Sequence, residues 1–230
     1  MRRRICLFMA DFAGGGAERV MVNIANELSR RGRHVDVLVA RTSGDHRGLL
    51  SADIAVQELS GRLARTLLPL SQYLRNTRPA AILSAGVHAC AIAALAKAWS
   101  GVPARLVLTL HGAIHADRGA PSGGLMERVD PLLLRTFYPY ADRIVAVSEG
   151  LRREAMRHIG GSPAKYATIH NPVYSSEILD HAGERVEHPW LHPKAAPVIV
   201  AVGRLSREKG FDTRCVQDLS FPLYASGYFS

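Results

Sequence analysis

The sequence predicts an α/β fold built on a doubly wound, mostly parallel sheet. Two observations carry that expectation. Short apolar runs recur at Ile5 to Met9, Val35 to Ala40, Ala81 to Ser84, Leu106 to Leu110, Ile144 to Val147 and Val198 to Val202. Continuous rather than alternating apolar character is what strands covered on both faces require. Segments of helical period separate most of these runs, and repeated strand, helix, strand units build a parallel sheet.

The first helix is expected over Ala17 to Arg31. Val20, Ile24 and Leu28 recur every four residues with Met21 and Ala25 beside them, and Gly32 marks the end. Further helices are expected at Leu63 to Asn76, His88 to Trp99, Leu125 to Tyr140 and Glu149 to His158, the last opened by Ser148 as an N-cap. From Val173 to Pro197 the pattern gives way to a polar stretch with Pro189, Pro193 and Pro197, after which an apolar run restarts. The expected organisation is a domain over 1–173, an interdomain linker over 174–197, the first strand and loop of a second domain over 198–213, and an atypical tail over 214–230.

Composition narrows the function classes. At 230 residues and 47% hydrophobic, the chain has the material for one full domain with a sizeable core. Cys6, Cys90 and Cys215 are odd in number and scattered, which suggests neither a disulfide framework nor a zinc site, so a reducing cytoplasm is the expected home. Arg2, Arg3 and Arg4 precede an apolar run too short for a signal peptide. The net charge of +9 fits an anionic substrate or an anionic membrane surface, and no basic run with interleaved aromatics marks a nucleic-acid module.

Three segments carry chemistry. Gly14-Gly15-Gly16-Ala17-Glu18-Arg19 joins the first strand to the first helix. Such a loop lets backbone N–H groups approach a phosphate at a helix N-terminus, although a lone glycine triplet serves a plain turn equally well. A dinucleotide fingerprint is a poorer fit, because position 19 is Arg and the second strand ends at Arg41 rather than an acid; an NADP role for Arg41 is the runner-up. His111, in Leu108-Thr109-Leu110-His111-Gly112, ends a central strand, where open α/β sheets bind ligands. His115 lies four residues on, but no Glu, Asp or Cys nearby completes a metal site. Arg204 and Lys209, in Gly203 to Asp212, follow the restarted strand in a glycine-bracketed loop suited to a diphosphate.

With Ala141-Asp142-Arg143-Ile144-Val145-Ala146-Val147-Ser148 and His170-Asn171-Pro172-Val173, these segments resemble glycosyltransferase family 4, whose members are retaining enzymes of the GT-B fold. The likeness runs over about residues 4 to 213. It implies two facing Rossmann-like domains, the acceptor mainly on the N-terminal one and the nucleotide sugar mainly on the other. It also implies that Gly15 and Gly16 approach the donor diphosphate, that His111 contacts the transferred sugar, and that Arg204 and Lys209 balance the departing phosphates. Preplaced donors and cations aimed at the leaving group supply the main catalytic effect. They stand in for a metal, so neither metal nor cofactor is expected.

The implied reaction moves a sugar from a UDP- or GDP-linked donor to a glycan or lipid-linked acceptor, with retention at the anomeric carbon. The family's Glu-x7-Glu element has no counterpart after Asp212. The chain is therefore expected to be truncated and inactive alone, and a non-catalytic domain that binds an acceptor or membrane surface is the reading of another class. Polysaccharide assembly in the cytoplasm, peripheral to the inner face of the plasma membrane, is the setting that the resemblance implies.

Overall fold

The computed structural model describes residues 4–13, 15–112, 125–172, 176–187 and 202. The chain divides into two units, Met1–Ser175 and Ser176–Ser230. The described residues of the first hold seven strands and five α-helices in the order β1 (Ile5–Met9), α1 (Gly16–Arg30), β2 (Val35–Val39), β3 (Ala55–Glu58), α2 (Leu67–Thr77), β4 (Ala81–Ala85), α3 (Val87–Ser100), β5 (Arg105–Leu110), α4 (Leu125–Phe137), β6 (Arg143–Ala146), α5 (Glu149–Ile159) and β7 (Tyr166–Thr168). All seven strands form one sheet in the order β3-β2-β1-β4-β5-β6-β7, and every pairing is parallel.

Side chains along a strand alternate between faces, and here each set finds its own core. Leu7, Met9, Val35, Val37 and Val39 pack with Met21, Val22 and Ala25 of α1. Cys6, Phe8, Leu38, Ile82, Leu106 and Leu108 pack on the other face with residues of α2, α3 and α5. This division follows from right-handed crossovers: α1 leads leftward from β1 to β2, whereas α2, α3, α4 and α5 lead rightward.

Strand order reverses between β1 and β4. β1 continues to β2 on one side, and β3 returns through α2 to place β4 on the other. Open α/β sheets bind ligands beyond the carboxyl ends of the strands at such a reversal. Because the sheet is parallel throughout, the loops after β1, β4, β5, β6 and β7 all leave from that edge.

Several expected boundaries move. The helix expected over Leu63 to Asn76 is a 3-10 turn at Leu63–Arg65 followed by α2, with Pro69 in the first turn, where its missing N–H costs nothing. The end of the helix expected to reach Tyr140 tightens into a 3-10 turn at Tyr138–Tyr140 around Pro139. The short strands β3 and β7 escape the apolar-run criterion, since β3 exposes Ala55, Gln57 and Glu58 and β7 spans three residues.

In the second unit a helix, α6 (Ser176–Ala182), opens the stretch read as a linker. Of the strand expected at Val198 to Val202, only Val202 is described; it is 93% exposed and lies in no strand. The remainder of that strand, the Arg204 and Lys209 loop and the tail lie outside the described residues.

Candidate functional site

The glycine loop leaves β1 at the sheet reversal. Asp11 is nearly buried there and holds the loop by accepting the Ala13 N–H at 3.0 Å and an Arg41 N–H at 2.8 Å. Arg41, the runner-up contact for a dinucleotide phosphate, is thus paired with a carboxylate at the end of β2. The segment after β2 closes over the same loop. The Phe12 N–H donates to Ser43 O, the His46 N–H donates to Phe12 O, His46 Nε2 lies 3.2 Å from Gly15 O, and the Arg47 guanidinium stands 5.8 Å above the Phe12 ring.

The two glycines differ in what surrounds them. Gly15 is the N-cap of α1 with φ −104, an ordinary extended value, so its backbone does not demand glycine. A Cβ built on it would overlap the carboxylate of Glu18, which folds back against the N-cap of its own helix. A Cβ on Gly16 would meet nothing within 4 Å. Open space at Gly16 is what a close ligand approach requires. At Gly15 the Glu18 carboxylate fills that space.

His111 follows β5, one strand beyond β4 from the glycine loop. Its Nε2 lies 2.9 Å from Thr109 Oγ1, and the Thr109 hydroxyl donates to Ser84 O on β4 at 2.9 Å. Nδ1 is buried with no hydrogen-bond partner among the described residues. Burial holds the imidazole below its ordinary pKa, and the Asn171 side chain opposes that shift to a smaller degree. Asn171 arrives from the segment after β7, where His170 Nδ1 lies 3.0 Å from Val147 O and Pro172 O accepts from Asn23 Nδ2 of α1 at 3.0 Å. The His170-Asn171-Pro172 segment is thus tied to β6 on one side and α1 on the other.

His111, Gly15 and Gly16 therefore share one edge of one sheet, while Arg204, Lys209 and His115 lie outside the described residues. Sequence reasoning assigned no role at this edge to His88 or His46, and gave Asn171 only within the His170-Asn171-Pro172-Val173 segment. His88 stands in the first turn of α3, directly after β4 and the positive-φ Gly86, and its position after a buried strand matches that of His111. His46 carries no comparable signal, and the action of Asn171 on His111, like the contact of His46 with Gly15, joins segments far apart in sequence. Among the described residues no cluster of His, Cys, Asp or Glu is arranged to hold a metal ion. No helix among them is long and apolar enough to cross a membrane.

No protein of curated function matches the sequence. Solved structures of the same fold are plentiful. Anabaena HepE in complex with UDP-glucose superposes with a TM-score of 0.58 at 19% identity, over 78% of this chain and 48% of that one. The lipopolysaccharide outer core galactosyltransferase WaaB gives 0.56 at 20% identity, over 74% and 46%. UDP-N-acetylglucosamine 2-epimerase from Rickettsia bellii gives 0.54 at 11% identity, over 79% and 47%. The chain thus spans about half the length of these structures. At such identities the likeness establishes the Rossmann-like fold of the GT-B type alone, and the epimerase shows that this fold also serves other chemistry. The profile of Glycosyltransferase Family 4 matches residues 14–177, from the glycine loop through His111 to the end of the sheet, and the chain belongs to that family.

Proposed function

We propose that this chain forms the acceptor-side wall of an enzyme that transfers a sugar from a nucleotide donor to a glycan or lipid-linked acceptor with retention. One observation carries the reading: the family match spans the glycine loop and His111, and both lie on the carboxyl edge of the parallel sheet at its reversal. HepE, whose fold is shared, has been solved with UDP-glucose, which supports a UDP-linked donor.

In this reading Gly16 admits the donor diphosphate, with Gly15 beside it. His111 contacts the transferred sugar. Breaking the anomeric bond builds negative charge on the departing phosphate, and Arg204 and Lys209 would balance it without a metal or cofactor. Transfer is assigned to a protein that supplies both walls of the cleft, in the cytoplasm beside an anionic membrane face.

The test is His111→Ala in a two-domain protein that carries residues 1–213 of this chain. Loss of a contact made chiefly in the transition state lowers kcat about tenfold to a hundredfold with little change in donor KM. Unchanged turnover, or a loss confined to KM, would remove His111 from the reaction. Calorimetric titration of the 230-residue chain with UDP, GDP and NADP addresses the donor class separately. Preferential binding of NADP would favour the Arg41 runner-up and sink the transferase reading.

A further inference from the structure

The carbonyl of Gly15 is held from two sides. It accepts the Arg19 N–H at 3.2 Å, the first bond of α1, and lies 3.2 Å from His46 Nε2 of the segment after β2. A carbonyl only accepts, so Nε2 must carry a proton and donate it. Gly15 O and the Gly16 N–H belong to one planar trans peptide, in which the N–H points opposite to the C=O. Pinning the carbonyl therefore fixes the direction of the Gly16 N–H, one of the donors that a helix leaves without an internal partner at its start. Gly16 is exposed, with nothing within 4 Å of where its Cβ would stand, whereas the Glu18 carboxylate fills the space beside Gly15.

The imidazole hangs from a segment that is itself fastened at both ends. The His46 N–H donates to Phe12 O at 3.2 Å, and the Phe12 N–H donates to Ser43 O at 2.9 Å. Gly44 between them sits at φ +121, where a Cβ would collide with the Phe12 backbone and where glycine alone is unstrained. At the far end Asn26 of α1 donates to Leu49 O at 2.8 Å and accepts the Ser51 N–H at 2.9 Å. His46 is thus placed by the loop after β1 on one side and by α1 on the other.

We propose that His46 is a positioning residue for the glycine loop: by donating from Nε2 to Gly15 O it sets the Gly15–Gly16 peptide so that the Gly16 N–H is offered to the donor diphosphate. The diphosphate rests on the transferase reading; the donation from His46 does not. A hydrogen bond accepted at the carbonyl also polarises the peptide and strengthens its N–H as a donor. His46 touches no reacting atom in this role and acts only through the peptide it holds.

Nuclear magnetic resonance of the 230-residue chain, labelled with nitrogen-15 and with its backbone assigned, tests this with inorganic pyrophosphate as the probe. Long-range proton–nitrogen spectra should show His46 protonated at Nε2, and pyrophosphate should move the Gly16 amide signal. His46→Ala removes the donor and should weaken pyrophosphate binding about threefold to tenfold, the worth of one such hydrogen bond. His46→Phe takes its place if the smaller side chain disturbs folding. His46→Gln brings an amide N–H to the position of Nε2 and should restore affinity to within about twofold. A merely structural role would lower the unfolding temperature of the Ala or Phe variant and leave the affinity of the folded protein unchanged, and that result overturns the proposal. So does a His46 ring protonated at Nδ1 alone, a Gln variant as weak as Ala, or a Gly16 amide that ignores pyrophosphate. The two ideas fail separately. Sugar transfer by a two-domain protein whose Gly16 amide ignores pyrophosphate sinks this proposal alone, and a chain that binds pyrophosphate through His46 but supports no transfer loses only the transferase reading.

Discussion

His111 Nε2 meets Thr109 Oγ1 at 2.9 Å, two residues back along the same chain. Residues two apart on extended backbone project to the same side, so the pairing is local, and what the fold adds is the anchor from Thr109 to Ser84 on the neighbouring strand. The ring is oriented before any ligand arrives. Preorganisation of this kind is what a binding edge needs, since a group that must be ordered on binding costs affinity.

Burial of that ring makes a pH signature. The folded pKa of His111 lies below its ordinary 6.5, with desolvation the main cause. The unfolded chain therefore takes up a proton at a pH where the folded chain does not. The contribution to stability is complete above the unfolded value and is lost as pH falls from there toward the folded pKa. Urea unfolding across that window should show stability rising with pH, with a flatter slope in His111→Gln. Equal slopes would mean that the ring is not desolvated.

Two glycines near the loop should answer substitution differently. Gly15 has an ordinary φ, and the group its Cβ would meet is the far end of the flexible Glu18 side chain, so Gly15→Ala should cost under about 1 kcal/mol. Gly44 sits at φ +121, and a Cβ there would run into the Phe12 backbone, which cannot step aside. Gly44→Ala should cost about 3 kcal/mol or more. Thermal unfolding of both variants checks this, and a Gly15→Ala loss as large as that of Gly44→Ala would contradict it.

How much of this was legible depends on how local the cause is. β1, β2, β4, β5 and β6 announce themselves because both faces are buried, and α1 and α5 because one stripe of each is. β3 did not, since as an edge strand it half-buries only Val56 and leaves its other residues exposed. The site divides in the same way. Gly15, Gly16 and His111 follow strands and could be found by position; the roles of Glu18, His46, Thr109 and Asn171 arise from contacts that only the folded sheet creates.

The basic, leucine-rich segment after β3 should bind anionic lipid. Arg62 and Arg65 are exposed, Leu68 on α2 is 60% exposed and Trp99 on α3 is 63% exposed. α2 and α3 lie side by side, with Ser71 Oγ donating to Ala96 O at 3.2 Å and Arg75 donating to Trp99 O at 3.1 Å. Exposed apolar groups flanked by arginines suit an anionic interface. Cosedimentation with anionic vesicles at low salt should exceed that with neutral ones, and Leu68→Ser with Trp99→Ser should weaken it. Equal binding to both vesicle types would end the idea.

Asp142 is the remaining residue whose replacement has a defined outcome. It stands just before β6 and accepts the Leu106 N–H of β5 at 2.7 Å and the Lys97 ammonium of α3 at 2.7 Å. Burial pushes its carboxyl pKa up, but the Leu106 N–H and Lys97 together outweigh burial and hold it below the ordinary range. One side chain thereby fixes two strands and a helix at the edge of the sheet opposite the glycine loop, the end where the chain enters β6. The side chain is 40% exposed, so solvent screens part of the ion pair, and most of its value lies in satisfying the Leu106 N–H. Asp142→Ala should therefore cost about 1–2 kcal/mol, and Asp142→Asn, which keeps a carbonyl acceptor for that N–H, roughly half as much. The wild-type contribution is full above the unfolded carboxyl pKa and disappears as pH falls through the folded one. Denaturant unfolding at neutral and acid pH tests both statements: the gap between wild type and Asp142→Ala should close in acid. A gap of the same size at both pH values would show that packing, and not the carboxylate, is what Asp142 contributes.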